Sequence, residues 1–179
     1  NTIGDSDTKY TVDIRTDVKW SDGKKLTARD VAFTVDLMKN PSTRSVIAGW
    51  EDIKVTVIDD YRIEFKLNST YAAFLHALNF AILPEHLLKD VVPSNIRESA
   101  FSQNPIGSGP FKFKFTQDVE AESSRKVIYL ERNPNYYNGK IKLSRFQLHV
   151  YETSEQIVRA LNTNEVNAAA DLSPVELKS

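Results

Sequence analysis

Hydrophobic and polar residues alternate in several short runs of the chain, which is the pattern of half-buried β-strands. In residues 8–15, tyrosine, valine and isoleucine occupy every second position, with polar side chains between them. The runs at 53–59 and 61–67 alternate in the same way on either side of a turn at Asp59-Asp60, which predicts a β-hairpin. Further strands are predicted at 111–115, 126–132 and 146–151.

Helical spacing appears between the strands. Thr27 precedes an apolar stripe and has Asp30 three residues later, which predicts the first turn of a helix that ends at Asn40-Pro41. Thr153 and Gln156 predict a capping box for a second helix over 154–163. Shorter helices are predicted in the apolar run at 71–80, at 84–90 and from Ser173-Pro174 onward; residues 1–10 read as a polar lead-in, and 93–104 as irregular.

Paired strands with helices inserted between them indicate an α+β fold. The chain has 179 residues, which suffices for one domain or for two small subdomains. The polar character of the first residues and the start of a helix at the last ones predict that both ends are internal to a longer protein.

The charge is balanced, with 23 basic and 24 acidic residues and a formal net charge of −1. Because nucleic-acid and anionic-membrane surfaces need clustered positive charge, neither partner is expected. The chain has no cysteine, which excludes thiolate nucleophiles and cysteine-type zinc sites. The longest apolar run is too short and too interrupted to span a bilayer.

Residues 104–113, NPIGSGPFKF, concentrate two prolines and two glycines ahead of a strand. A phosphate-binding loop, a serine nucleophile at Ser108 and a structural crossover are the alternatives. The glycine spacing fits neither phosphate-binding motif, and Pro110 removes a backbone N–H that a phosphate would need. Ser108 lacks the G-x-S-x-G elbow. The structural crossover stays open, and Gly107 and Gly109 would allow turns that other residues resist.

The remaining reactive residues form no local motif. The histidines at 76, 86 and 149 are scattered and lack metal-binding spacing; His76, within an apolar run, is expected to be a core histidine. The paired acids at 51–52 and 59–60 occupy turns and are expected to be solvated. No catalytic residue, metal site or cofactor is therefore predicted. Aromatic residues near element ends either cover the core edge or line an apolar pocket; they are Trp20, Trp50, Phe80, Phe111, Tyr136 and Tyr137.

Taken in order, five motifs resemble one known family. They are YTVDIRTDVKWSDGKKLTARDVAFTVDLM, IKVTVIDDYRIEFKL, NPIGSGPFKF, LERNPNYYNGKIKL and ALNTNEVNAA, followed by LSPVEL. This set is similar to the family 5 extracytoplasmic solute-binding proteins, the peptide, dipeptide and nickel receptors of bacterial ABC importers. The resemblance covers essentially the whole chain.

The resemblance implies one lobe of a class II clamp, with mixed sheets and flanking helices. Residues 1–107 would be an extra small subdomain of the N-terminal lobe, and residues 108–179 part of the core subdomain of the same lobe. The second lobe would be absent from this chain. The stretch at 104–113 would then be where the chain crosses between the subdomains.

The resemblance also implies a ligand surface. Asn79 and Phe80 are the best candidates to contact ligand, with Trp50 behind them. Nickel receptors carry an arginine where Phe80 falls, so Phe80 suits an apolar or peptide-like ligand better.

The function implied is capture of a peptide-like ligand for an ABC importer, with no bond chemistry. The expected partners are a peptide or small molecule and the permease subunits, with no nucleic acid. The protein is expected to be monomeric and periplasmic or extracellular, and to meet the membrane only through the permease or a lipid anchor outside this chain. The alternatives are a receptor for oligosaccharide or chelated nickel, and a small-molecule sensor domain of a transcription regulator.

Overall fold

The computed structural model describes residues 2–6, 8–45, 47, 49–119, 125–170 and 172, with side chains from residue 8 onward. The chain divides into two compact units, which are described separately. Unit 1 comprises Asn1–Gly109 and Asn133–Lys140, and unit 2 comprises Pro110–Arg132 and Ile141–Ser179.

Unit 1 is built on a four-stranded antiparallel sheet with the strand order β1-β2-β4-β3. Its strands are β1 Thr2–Ser6, β2 Lys9–Asp13, β3 Lys54–Asp59 and β4 Arg62–Lys66. The predicted hairpin is confirmed, and the Asp59 carboxylate closes its turn by accepting from the Tyr61 N–H at 2.8 Å. The paired acids at 51–52 and 59–60 are exposed, as expected.

The main helix of unit 1, α1, runs from Ala28 to Lys39. Its predicted cap is confirmed: the Thr27 N–H donates to Asp30 Oδ2 at 2.8 Å. The helix ends at Asn40, which is extended ahead of Pro41 as residues before proline prefer to be. The other helices of unit 1 have four residues each: α2 Phe74–Ala77, α3 Glu85–Leu88 and α4 Ala100–Gln103.

The core of unit 1 lies between α1 and the sheet. Val35 of α1, Ile63 and Phe65 of β4, and Phe74 of α2 expose 1% of their surface or less. The helix contributes residues at helical spacing and the strand contributes every second residue, so the two periodicities seen in the sequence meet in one cluster. A smaller cluster, Val18, Trp20 and Leu26, packs beside Ile106.

Residues 133–140 return to unit 1, although the sequence prediction placed them in the second subdomain. Asn133 is 3% exposed and donates from Nδ2 to the Gly109 carbonyl oxygen at 2.8 Å. Asn135 Nδ2 lies 3.4 Å from the carbonyl oxygen of Trp20. These contacts join residues that are far apart in sequence, which is why local pattern did not reveal them.

Unit 2 contains a three-stranded antiparallel sheet in the order β5-β6-β7. The strands are β5 Phe111–Asp118, β6 Lys126–Arg132 and β7 Arg145–Val150, and they are followed by α5, Ser154–Asn162. The predicted capping box of α5 is confirmed, because Gln156 Oε1 accepts from the Thr153 N–H at 3.2 Å and Thr153 Oγ1 accepts from the Gln156 N–H at 3.4 Å.

The α+β class is confirmed, and all strand pairs of the described residues are antiparallel where mixed sheets were expected. β1 lies within residues 1–10, which were predicted to be a polar lead-in. It pairs through its backbone with β2 and needs no apolar pattern of its own. Residues 93–104 hold a 3₁₀ helix, Pro93–Glu98, and α4. The helix predicted from Ser173 onward lies outside the described residues.

Two further expectations are wrong. His76 is exposed rather than in the core, because α2 is a single turn that buries Phe74 and turns His76 to solvent. Gly107 and Gly109 do not have positive φ, and a Cβ at either would meet nothing closer than 4.0 Å. The left-handed glycines are Gly23, Gly49 and Gly139 instead.

Candidate functional site

Two of the three predicted ligand residues, Trp50 and Phe80, belong to one aromatic cluster of unit 1. Trp50 is at its centre, with its ring centroid 6.1 Å from Phe65, 5.9 Å from Phe74 and 5.1 Å from Phe80. Phe65 and Phe80 meet Trp50 edge to face, the arrangement that aromatic quadrupoles favour. Tyr10 adds a ring 4.8 Å from Phe74. The rings of the cluster are therefore tightly packed, and its outer member Phe80 rests on them.

Trp50 is 3% exposed and is a core residue. It follows Gly49, whose φ of +87° directs the chain into the core by a turn that side chains resist. The turn is closed by the Gly49 N–H, which donates to Glu51 Oε2 at 3.0 Å, and by the Ile53 N–H, which donates to the Trp50 carbonyl at 3.1 Å. Because Trp50 has so little exposed surface, it supports Phe80 from the core side.

Asn79 and Phe80 lie directly after the single turn of α2. Asn79 is exposed and Phe80 is half-buried, with one side of its ring against Trp50. The neighbouring Tyr71 and Leu75 expose 50% and 47% of their surface. The structure thus packs Phe80 against Trp50, with Asn79 preceding Phe80 in the chain, and both Asn79 and Phe80 have surface available to a ligand.

Two buried polar residues of α1 anchor the segment that follows Phe80. The Thr34 hydroxyl accepts from the Leu83 N–H and the Asp30 carboxylate accepts from the Glu85 N–H, at 2.8 Å and 2.9 Å. Both polar side chains are at least 96% buried. Sequence reasoning assigned Asp30 only to the helix cap; polar residues at i and i+4 on the buried helix face were the signal that could have revealed the anchor.

A separate cleft of about 560 Å³ lies between α1 and the β3–β4 hairpin. None of the three predicted residues lines it. Its lining combines apolar side chains with four carboxylates and one guanidinium: Arg29, Ala32, Phe33, Asp36, Val57, Ile58, Asp59, Asp60 and Glu85.

Several other ionisable groups of the described residues are engaged in pairs. His86 Nε2 lies 2.8 Å from Asp22 Oδ2, which joins α3 to the turn at residues 20–23. In unit 2, Arg125 contacts His149 Nδ1 at 3.1 Å and also pairs with Glu165. No group of three or more His, Cys, Asp or Glu side chains that could hold a metal ion occurs among the described residues.

Comparison with known proteins decides which family this architecture represents. Residues 2–179 match the family model described as "Bacterial extracellular solute-binding proteins, family 5 Middle". The chain belongs to this family. The resemblance read from the five ordered motifs is thereby confirmed, as is the fold class of a family 5 lobe. In the part of the chain that the structure describes, no helix is long and apolar enough to cross a membrane.

Relatives of this family 5 chain are described as peptide receptors. The oligopeptide-binding protein AppA of Bacillus subtilis is 34% identical over 88% of this chain and 29% of its own length. A putative ABC transporter peptide-binding protein of Brucella ovis is 31% identical over 83% of this chain and 28% of its own length.

Solved structures of the family show the same fold. AppA of Bacillus subtilis in complex with a nonapeptide matches with a TM-score of 0.78 and 32% identity, over 93% of this chain and 33% of that one. NikZ of Campylobacter jejuni in complex with Ni(L-His) matches with a TM-score of 0.77 and 32% identity, over 92% and 32%. The chain therefore spans about a third of the length of the relatives it matches.

Proposed function

We propose that this chain is part of an extracytoplasmic solute-binding protein that captures a peptide-like ligand and delivers it to an ABC importer. The observation that carries the proposal is the exposed edge of the aromatic cluster, where Phe80 rests on Trp50 beside the exposed Asn79 amide. The names of the relatives, oligopeptide-binding and peptide-binding, support the ligand class.

The chemistry of this surface suits a peptide. A half-buried phenyl ring held by a second ring offers an apolar contact that loses little side-chain entropy on binding, since its rotamer is already fixed by packing. The adjacent Asn79 amide both donates and accepts hydrogen bonds, and therefore matches the N–H and C=O groups of a peptide backbone. Neither group requires a particular side chain on the ligand.

In the whole protein, unit 1 corresponds to the extra small subdomain and unit 2 to part of the core subdomain of the same lobe. The ligand would be enclosed between this lobe and a second lobe outside the chain, and closure would be driven by the ligand's better contacts with the closed state. The protein would act outside the cytoplasm as a monomer, attached to the cell surface by a lipid anchor and docking on the permease subunits.

Calorimetry with a family-length form of the protein tests the peptide proposal. A mixed peptide library is titrated first, and then single peptides recovered from it. Phe80→Ala is expected to weaken binding about tenfold, because about 1–2 kcal/mol of apolar contact is lost. Phe115→Ala is the matched control: this ring is 44% exposed, lies in unit 2 and stacks on Tyr129.

Two outcomes would contradict the proposal. If Phe115→Ala and Phe80→Ala weaken peptide binding equally, Phe80 is not part of the ligand site. Nickel–histidine is titrated in parallel because of the NikZ complex; tight binding of this chelate with no binding of any peptide would replace the peptide ligand by a metal chelate.

A further inference from the structure

On one face of the β5-β6-β7 sheet of unit 2, apolar side chains form consecutive rows. Its register places Leu130 of β6 opposite Phe113 of β5 and Phe146 of β7, so the three side chains form one row across the sheet. The next row of the same face pairs Ile128 with Leu148. The Phe111 ring of β5 and the Phe146 ring of β7 lie 5.5 Å apart across β6, which confirms that the two outer strands contribute side chains to this face.

The opposite face mixes apolar and polar side chains: Phe115, Val127 and Tyr129 lie on it beside charged residues. Lys112 Nζ pairs with Glu131 Oε1 at 3.0 Å, and Tyr129 donates its hydroxyl to Gln117 at 3.0 Å. On β7 the residues of this second face are Arg145, Gln147 and His149, which alternate with the apolar ones. The first face differs from this one because its apolar side chains run in consecutive rows across the strands, and a sheet face of that kind is normally buried.

The apolar face is nevertheless open in this chain. Phe146, Leu148 and Val150, at successive outward positions of β7, expose 44%, 47% and 45% of their surface. The apolar residues of β5 and β6 on the same face are half-buried. Three side chains spaced about 6.8 Å apart form a continuous stripe along β7, and stripes of this kind on a soluble protein mark contact surfaces.

We infer that the apolar face centred on Phe146, Leu148 and Val150 is an internal docking surface, covered by a segment of the same polypeptide that lies outside these 179 residues. The length of the relatives supports this occupant: a family-length protein has about two thirds of its residues beyond the matched region. The covering segment must present a continuous apolar side about 14 Å long, which one side of a helix of two to three turns provides.

This occupant also explains the alternation on β7. A covering segment packs against one side of the strand only, so its neighbour Gln147, on the other side, remains polar and exposed. A second copy of the chain would bury the same stripe to an extent that depends on protein concentration. The inference depends on family membership and does not require the ligand to be a peptide.

Thiol labelling tests the inference, because the chain contains no cysteine. Leu148→Cys and Gln147→Cys are introduced singly into a family-length form of the protein, and their rates of reaction with a disulfide reagent are measured in native buffer and in urea. The unsubstituted protein gives the background from any cysteine outside these residues. The thiol at position 148 is expected to react at least about 100-fold more slowly than the thiol at 147 in native buffer, and at the same rate in urea.

Three outcomes would overturn the inference. Equal and rapid labelling at both positions would show that the face is open. Equal protection at both positions would show that the whole strand is covered without preference for the apolar face. Protection at 148 that disappears on dilution of the protein would assign the face to a second copy instead.

Discussion

Replacing Asp30 by alanine removes two hydrogen bonds from backbone N–H groups at once, and with them a longer one, of 3.3 Å, from the Thr27 hydroxyl. The carboxylate accepts from the Thr27 N–H at the start of α1 and from the Glu85 N–H at the start of α3. Asp30 is 4% exposed, so little water can replace it. Hydrogen bonds to charged groups contribute about 1.5–3 kcal/mol each, and the lower end applies to the helix cap, where water has partial access. We therefore expect unit 1 to lose about 3 kcal/mol of stability.

Tryptophan fluorescence during urea unfolding measures this loss. The chain has two tryptophans, Trp20 and Trp50, and both are in unit 1, so the signal reports that unit alone. With a urea dependence of about 2 kcal/mol per molar, the midpoint should fall by about 1.5 M. Asp30→Asn keeps one acceptor oxygen and should lose roughly half as much.

Asp36→Ala is the matched control, because Asp36 is on the same helix but exposed. Its midpoint should move by less than about 0.25 M. If Asp30→Ala lowers the midpoint no more than Asp36→Ala does, the hydrogen bonds of Asp30 do not stabilise unit 1 and the reasoning fails. Since the Asp30 anchor also fixes the segment after Phe80, a family-length Asp30→Ala variant should bind ligand more weakly as well.

Three further outcomes are expected from the packing and charges described above. Phe74→Ala, at a fully buried ring, should destabilise unit 1 by about 3–5 kcal/mol in the same fluorescence assay, whereas Leu75→Ala on the same helical turn should change it by less than about 1 kcal/mol. Burial, together with the nearby Arg125 charge, lowers the pKa of His149 below its ordinary value of 6.5, so the neutral ring is favoured in the folded state. Stability of unit 2 should therefore be complete above about pH 6.5 and fall as the pH drops below it, and His149→Gln should abolish this dependence in hydrogen exchange of the β6 and β7 amides; an unchanged profile would show that another group titrates. Thr153→Ala should raise exchange at the start of α5 by about fivefold, equivalent to the loss of a cap of about 1 kcal/mol, and no change would mean that the cap is dispensable.

Local signals in the sequence predicted the elements whose stability is local. The caps at Thr27 and Thr153 and the hairpin around Asp59 depend on neighbours within a few residues, and all three are confirmed. The helix predicted in the run at 71–80 is longer than the four-residue helix observed. Apolar residues of this run pack against Trp50 and do not form the face of a longer helix.

The elements and contacts that the sequence did not predict depend on partners that are distant in sequence. β1 forms because the edge of β2 offers backbone N–H and C=O groups for pairing. The side chains of β1 do not show the alternating pattern from which a strand is predicted. The packing of Phe80 on Trp50 joins positions thirty residues apart; the family resemblance suggested the pair, and hydrophobic periodicity could not. The anchor formed by Asp30 and Thr34 needs the position of Leu83 and Glu85 to be recognised.

The return of residues 133–140 to unit 1 has a consequence for biosynthesis. The buried Asn133 amide satisfies the Gly109 carbonyl, and Asn135 reaches the turn at Trp20. On the ribosome, unit 1 can form its sheet and aromatic cluster early, but it lacks these contacts until the β5–β6 hairpin between them has been translated. A nascent chain stalled before residue 133 should therefore expose the Trp20 turn to protease, and unit 1 should be complete only after residues 133–140 have been translated.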